Sequence, residues 1–293
     1  MAKGKHGIVT KMNKIRIDDE WSFFALVPAL LWQILFLVVP VGLIILLSCV
    51  YFVGYTPVVT GSFFAHVFKL AYIRIIIFSL FMGLFTASLS LFIGYPTAYF
   101  LAFYVKDWLK NVLLFLLILP FWTNFLIHVY AWFFMLKRDG LLNDFLFSLG
   151  FIKEPLHLFN NLFAVSLVML YCYIPFMVLP LYTVLEKIDP SLLEASQDLG
   201  ASSSQTFFKV VFPLSIAGVL TGFILVFVPS FGEFVIPLLV GGEKYALVGS
   251  VIQYLFLSAR DMNLGAAFTC LSSIILLLSI ACIYILFNKK IIK

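Results

Sequence analysis

An all-α protein with six membrane-spanning helices is the fold class that three features of the sequence predict. Of its 293 residues 63% are hydrophobic and only 11% are charged, where a soluble domain carries about 25% charged residues. The apolar residues gather into runs of roughly 20 or more, the length a helix needs to cross a hydrocarbon core about 30 Å thick. Lysine and arginine sit beside those runs rather than along one face, so the formal charge of +5 marks membrane flanks, with no nucleic-acid partner implied. By length the chain is a single domain, 1–293.

Each element follows from local pattern. Residues 1–20 are a basic tail ending in Asp18, Asp19 and Glu20. The first span, 21–52, is too long for a signal-peptide core and lacks a cleavage pattern, so it stays in place, kinked at Pro40. A loop over 54–71 leads to the second span, 72–104. There Gly83 and Ala87, then Ser90, Gly94, Ala98 and Ala102, recur at four-residue spacing. Such a stripe either admits another helix at close range or faces lipid as filler. A short loop with Lys106 and Lys110 precedes the third span, 112–136. Residues 137–161 form a loop with a short surface helix over 141–149. The fourth span, 162–185, is interrupted by Pro175 and Pro180. The fifth, 214–240, carries Gly218 and Gly222 in GxxxG spacing, and a loop over 241–263 precedes the sixth, 265–287.

Six spans return both termini to one side. That side holds twelve of the 19 lysines and arginines: five in the tail, two after the second span, two in 186–213 and three at the end. The positive-inside rule therefore assigns both termini and the 186–213 loop to the cytoplasm.

That loop, EKIDPSLLEASQDLGASSSQTFFKVVFP, has four acids and two lysines between two greasy runs. Ser191 followed by Glu194 is a capping-box pattern, with Pro190 allowed at a helix start. Gly200 suits a left-handed helix end. Ser202 with Gln205 offers a second box, opening a short helix that stops before Pro213. Leu192, Leu193, Leu199, Phe207 and Phe208 give this helix–elbow–helix unit an apolar surface, which makes it a docking element.

Chemistry of its own is hard to find in the chain. No GxxxxGK[ST], HExxH or GxSxG occurs, and the four cysteines (Cys49, Cys172, Cys270, Cys282) lie in apolar runs without metal spacing. Polar and aromatic groups at membrane depth are costly, and so point to a path for a solute. Candidates come from Trp122, Asn124 and Tyr130, from Tyr173, and from Glu233 between Pro229 and Pro237. Glu233 lies roughly 30 Å along an ideal helix from Pro213, in the outer half of the bilayer. A carboxylate among aromatic faces suits an organic cation; alternatively Glu233 faces water or pairs with a lysine or arginine. His128 is read as a packed histidine.

At LEASQDLGASSSQTFFKVVFPL the chain resembles the EAA loop of ABC importer permeases. Glu194, Ala195, Asp198, Gly200 and Pro213 match it, while Ser196 replaces a second alanine and Phe212 a leucine. PFWTNFLIHVYAW, GLLNDFLFSLG, YIPFMVLPLYTVLEKID and GEFVIPLLVGG resemble spermidine/putrescine ABC permeases of the first-permease type. The resemblance implies a type I (MetI-like) permease fold in a bacterial inner membrane, with polyamines as cargo and alternating access as mechanism. It further implies a second permease subunit, a periplasmic polyamine-binding protein, and an ATPase dimer that alone binds ATP and Mg. Glu194, Ala195, Asp198, Gly200 and Pro213 would then shape the docking loop, with Leu199 and Phe207 as its apolar contacts. Rival readings are a permease for ferric iron or an amino-acid-like solute, and a membrane enzyme or scaffold that transports nothing.

Overall fold

A computed structural model describes residues 19–53 and 56–288. Most of the expected N-terminal tail and the last lysines lie outside them. Two units are distinguished, Met1–Leu46 and Leu47–Lys293. Five helices are long and apolar enough to cross a membrane: α1 (Leu26–Cys49), α3 (Leu70–Phe103), α7 (Leu162–Leu185), α9 (Ser203–Phe231) and α11 (Met262–Asn288). A sixth crossing is available if the bent pair α4 (Asp107–Trp122) and α5 (Phe125–Leu136) counts as one.

The core is the three-way packing of α3, α7 and α9. Small residues allow it. Gly83, Ala87, Ser90, Gly94 and Ala98 are all buried, so the stripe serves helix packing rather than lipid. A Cβ on Gly94 would meet Met177 Cγ at 2.9 Å, and one on Gly222 would meet Met177 Sδ at 2.8 Å. Both helices thus press on one fully buried methionine of α7.

Several expected boundaries are corrected. The third span is not one rod: its halves meet at 91°. Pro120 opens a 3-10 turn, Thr123 is extended, and the Asn124 side chain accepts the Leu126 N–H at 2.8 Å, capping a fresh helix. Conversely, Pro175 and Pro180 do not interrupt α7, which runs through both.

Pro213 likewise does not stop the second arm of the 186–213 loop, because α9 continues from Ser203 into the bilayer. A wide five-residue turn at Phe207–Val211, closed by Phe212 N–H to Phe207 O, comes just before the proline. The carbonyl that Pro213 would strike in a regular helix, that of Lys209, lies inside this turn. The same arrangement, Ile34–Val38, precedes Pro40 in the first span.

The fifth span ends at Phe231, short of 240. Gly232 caps it, Glu233 occupies a break, and a wide turn follows at Pro237–Gly241. The loops are also more structured than expected. Residues 50–59 contain a two-stranded hairpin, β1 (Val50–Val53) and β2 (Thr56–Val59), with Val50 opposite Val59, followed by α2 (Ser62–Val67). The 241–263 loop contains an apolar helix, α10 (Val248–Ser258), whose Val248 N–H reaches Ser79 Oγ of α3 at 2.9 Å. A Cβ on Gly249 of α10 would lie 2.0 Å from the Gly232 carbonyl oxygen, so α10 is seated directly on the break. The short helix α6 (Leu141–Ser148) forms nearly as expected. Buried Asn143 ties it to Leu156, its Nδ2 donating to the Leu156 carbonyl at 3.1 Å and its Oδ1 accepting the Leu156 N–H at 2.9 Å.

Candidate functional site

Two places merit a functional reading, and α9 joins them. At one end is the elbow between α8 (Pro190–Asp198) and the start of α9. The expected Ser191–Glu194 box does not cap α8. Asp189 does, its Oδ1 accepting the Ser191 N–H at 2.9 Å, which holds the carboxyl below the ordinary value. A proline at the first helical position leaves Asp189 as N-cap and makes Ser191 too late for that role. At its far end α8 closes with Gly200 at φ +80. Ala201 N–H bonds Ser196 O at 3.1 Å and Gly200 N–H bonds Gln197 O at 2.8 Å, the paired closure of a Schellman end. The Ser202–Gln205 box is present in full.

The two arms are stitched by Ser196 Oγ and Thr206 Oγ1, 2.7 Å apart. Around this stitch, Glu194, Ala195, Asp198, Leu199 and Gly200 are exposed, Leu199 to 89%. Phe207 turns inward instead, its ring 5.5 Å from that of Tyr95 and 5.8 Å from that of Tyr99. Phe208 is the outward phenylalanine, 67% exposed. Pro213 sits on the exposed side of α9. At the base of α8, Lys110 lies 3.6 Å from Glu186 and 3.4 Å from Asp107, and Tyr182 donates its hydroxyl to Glu186.

At the other end of α9 is Glu233, only 6% exposed. Its Oε1 accepts the N–H groups of Phe234, Val235 and Ile236 at 3.0, 2.9 and 3.4 Å. Its Oε2 accepts the Tyr173 hydroxyl. Glu233 is thus both the cap of the turn after the break and a buried carboxylate. Among the described residues no lysine, arginine or histidine pairs with it. It borders an open recess of about 550 Å³ walled by Phe121, Phe125, Tyr173, Phe176 and Phe234.

Of the residues expected along a path, Tyr173 and Glu233 are brought together. Trp122 is 75% exposed, edge-on to Phe115; Asn124 serves as a helix cap; Tyr130 is half exposed beside Phe133. None of these three borders the recess. Sequence reasoning missed Phe125, Phe176 and Phe234 there, because in a chain with 34 phenylalanines a wall residue carries no distinguishing mark. The signal available for Phe121 and Phe125 was their place on either side of the Thr–Asn break.

Comparisons with known proteins bear on both sites. Residues 94–293 match the family described as binding-protein-dependent transport system inner membrane component. The spermidine/putrescine transport system permease protein PotB of Escherichia coli is 44% identical over 196 residues, covering 67% of this chain and 71% of that protein. PotB of Haemophilus influenzae is 37% identical over 239 residues, covering 80% and 83%. In structure, a bacterial alginate ABC transporter, solved in complex with a periplasmic protein bound to alginate pentasaccharide, matches with a TM-score of 0.72. It covers 94% of this chain and 96% of the matched one at 17% identity, a likeness of fold alone.

Proposed function

This chain belongs to the binding-protein-dependent transport system inner membrane components, and from that premise we propose that it is the first-permease subunit of an ABC importer for polyamines. It is a multi-pass transport component rather than an enzyme. The cargo assignment is supported by the identity to PotB over two thirds or more of both chains. It is also supported by a buried carboxylate that faces an aromatic recess with no cationic partner among the described residues, an environment suited to an organic ammonium ion.

The observation that carries the mechanism is the unbroken helix from Ser203 to Phe231. Its first turn belongs to the exposed elbow and its last residue adjoins the Glu233 break. In this reading the elbow lies in the cytoplasm and docks on a separate ATPase dimer that binds ATP and Mg, with Leu199 and Phe208 as apolar contacts. A second permease completes the pathway, and a periplasmic polyamine-binding protein delivers the cargo. Closure of the ATPase dimer carries the elbows together, and the lobes rock between inward- and outward-facing forms.

Two measurements test this. A cysteine at Leu199 is expected to cross-link to the ATPase subunit in inside-out vesicles, and no cross-link under any nucleotide condition overturns the docking role. Labelled spermidine uptake is expected to be competed by putrescine and not by ferric citrate or amino acids. The reverse pattern overturns the cargo.

A further inference from the structure

Behind the Glu233 recess, between α7 and the bend of the third span, lies a second cavity of about 210 Å³. The two share walls: Phe121, Phe125 and Cys172 border both. The second cavity is lined further by His128 and Tyr171. His128 Nε2 lies 2.9 Å from the Pro120 carbonyl oxygen and also meets the Thr123 hydroxyl. Its Nδ1 lies 3.2 Å from the Tyr171 hydroxyl. The Thr123 hydroxyl donates to the same Pro120 carbonyl at 2.7 Å. The side-chain polar groups of Thr123, His128 and Tyr171 on this wall thus bond one another or the Pro120 carbonyl. The cavity presents mainly hydrocarbon and ring faces to whatever enters, from Leu116, Leu117, Phe121, Phe125, Ile174 and Pro175.

The adjoining chambers thus differ in chemistry. One has a carboxylate with no lysine, arginine or histidine paired to it among the described residues; the other is walled mainly by apolar groups. A ligand suited to both has an ammonium head and a flexible methylene chain. We propose that the cavity between Phe125, His128, Tyr171 and Cys172 is a chain subsite. It takes the methylene segment of a linear amine whose ammonium group is held at Glu233, and so selects cargo by chain length. This rests on the reading that Glu233 meets the cargo.

The test uses the complete transporter, this chain with its ATPase, second permease and binding protein, in liposomes. Half-saturating concentrations are measured for a series of diamines graded in methylene number, each referred to that amine's affinity for the binding protein. Burying two methylenes corresponds to roughly tenfold in affinity. Phe125→Ala is expected to raise the half-saturating concentration about tenfold for the longest amines and about twofold or less for the shortest. Glu233→Gln raises it for all. An equal effect of Phe125→Ala on every length, or none, overturns the subsite.

Should Phe125→Ala fail to assemble, a photo-reactive benzoylphenylalanine at position 125 takes its place, with one at Phe134, exposed on the same helix, as control. Tritiated spermidine is expected to label position 125 above position 134; equal labelling, or no label at 125, overturns the proposal. If Glu233→Gln changes uptake of no amine, the underlying reading falls. If it changes uptake while chain length makes no difference, the subsite alone falls.

Discussion

Ser196 and Thr206 meet oxygen to oxygen at 2.7 Å across the elbow, and Thr206 is buried where they touch. Ser196→Ala leaves the Thr206 hydroxyl without that partner. A loss of about 1 kcal/mol of local stability is expected, read as faster amide exchange over 190–206 and fewer cargo molecules moved per ATP. The double variant Ser196→Ala/Thr206→Val removes both partners and is expected to recover most of the loss. A double variant no better than the single one would show that the contact does not join the arms.

Gly200 holds φ +80 with open space around the site of a Cβ. The cost of a side chain there is conformational, about 1–2 kcal/mol for a left-handed residue. Gly200→Val is expected to insert normally and hydrolyse ATP in the assembled complex while transport falls several-fold. Unchanged uptake would count against the docking role.

Gly249 is constrained by space. A Cβ 2.0 Å from the Gly232 carbonyl oxygen would meet backbone, which cannot swing aside. Gly249→Ala is expected to lift α10 from the break, lowering the melting temperature in detergent and costing about 1–3 kcal/mol. Gly61→Ala, with nothing near its Cβ, is the control expected to leave melting unchanged.

Glu233 has two roles that substitution can separate. Gln keeps an oxygen to accept the N–H groups of Phe234, Val235 and Ile236 but removes the charge. Glu233→Gln is expected to assemble and to weaken cation uptake about tenfold, or roughly 1.4 kcal/mol. Glu233→Ala is expected to lose assembly as well. Equal assembly of the two variants, measured by detergent chromatography, would show that the cap is not what assembly depends on.

Asp189 ties the elbow to pH. Its carboxyl is held below the ordinary value by the Ser191 N–H. A carboxyl depressed on folding contributes stability above its unfolded pKa, and that contribution is lost as pH falls through the folded pKa. Protection factors of the amides of residues 191–199, corrected for intrinsic exchange, are therefore expected to fall as pH drops below about 4. Asp189→Asn, which caps without titrating, is expected to flatten that dependence.

The apolar runs, the Gly200 end and the Ser202–Gln205 box were legible because each is decided within a few residues. The bend at 120–124 was half legible: Pro120 and the Thr–Asn pair announce a helix start, but about 25 continuous apolar residues read as a single span. Pro213 misled, since nothing local marks the wide turn that lets the helix pass it. The pairing of Tyr173 with Glu233 was out of reach, because 60 residues separate them and only the packing of α7 against the end of α9 makes them neighbours.

The passage of α9 through Pro213 has a mechanical side. Its 29 residues amount to a strut about 43 Å long, with the stitched knuckle at one tip and the charged turn at the other. Any give in this strut is concentrated at the wide turn of Phe207–Val211; a tilt of the regular stretch beyond it, Phe212–Phe231, carries the Gly232–Glu233 turn and the Gly249 seated on it.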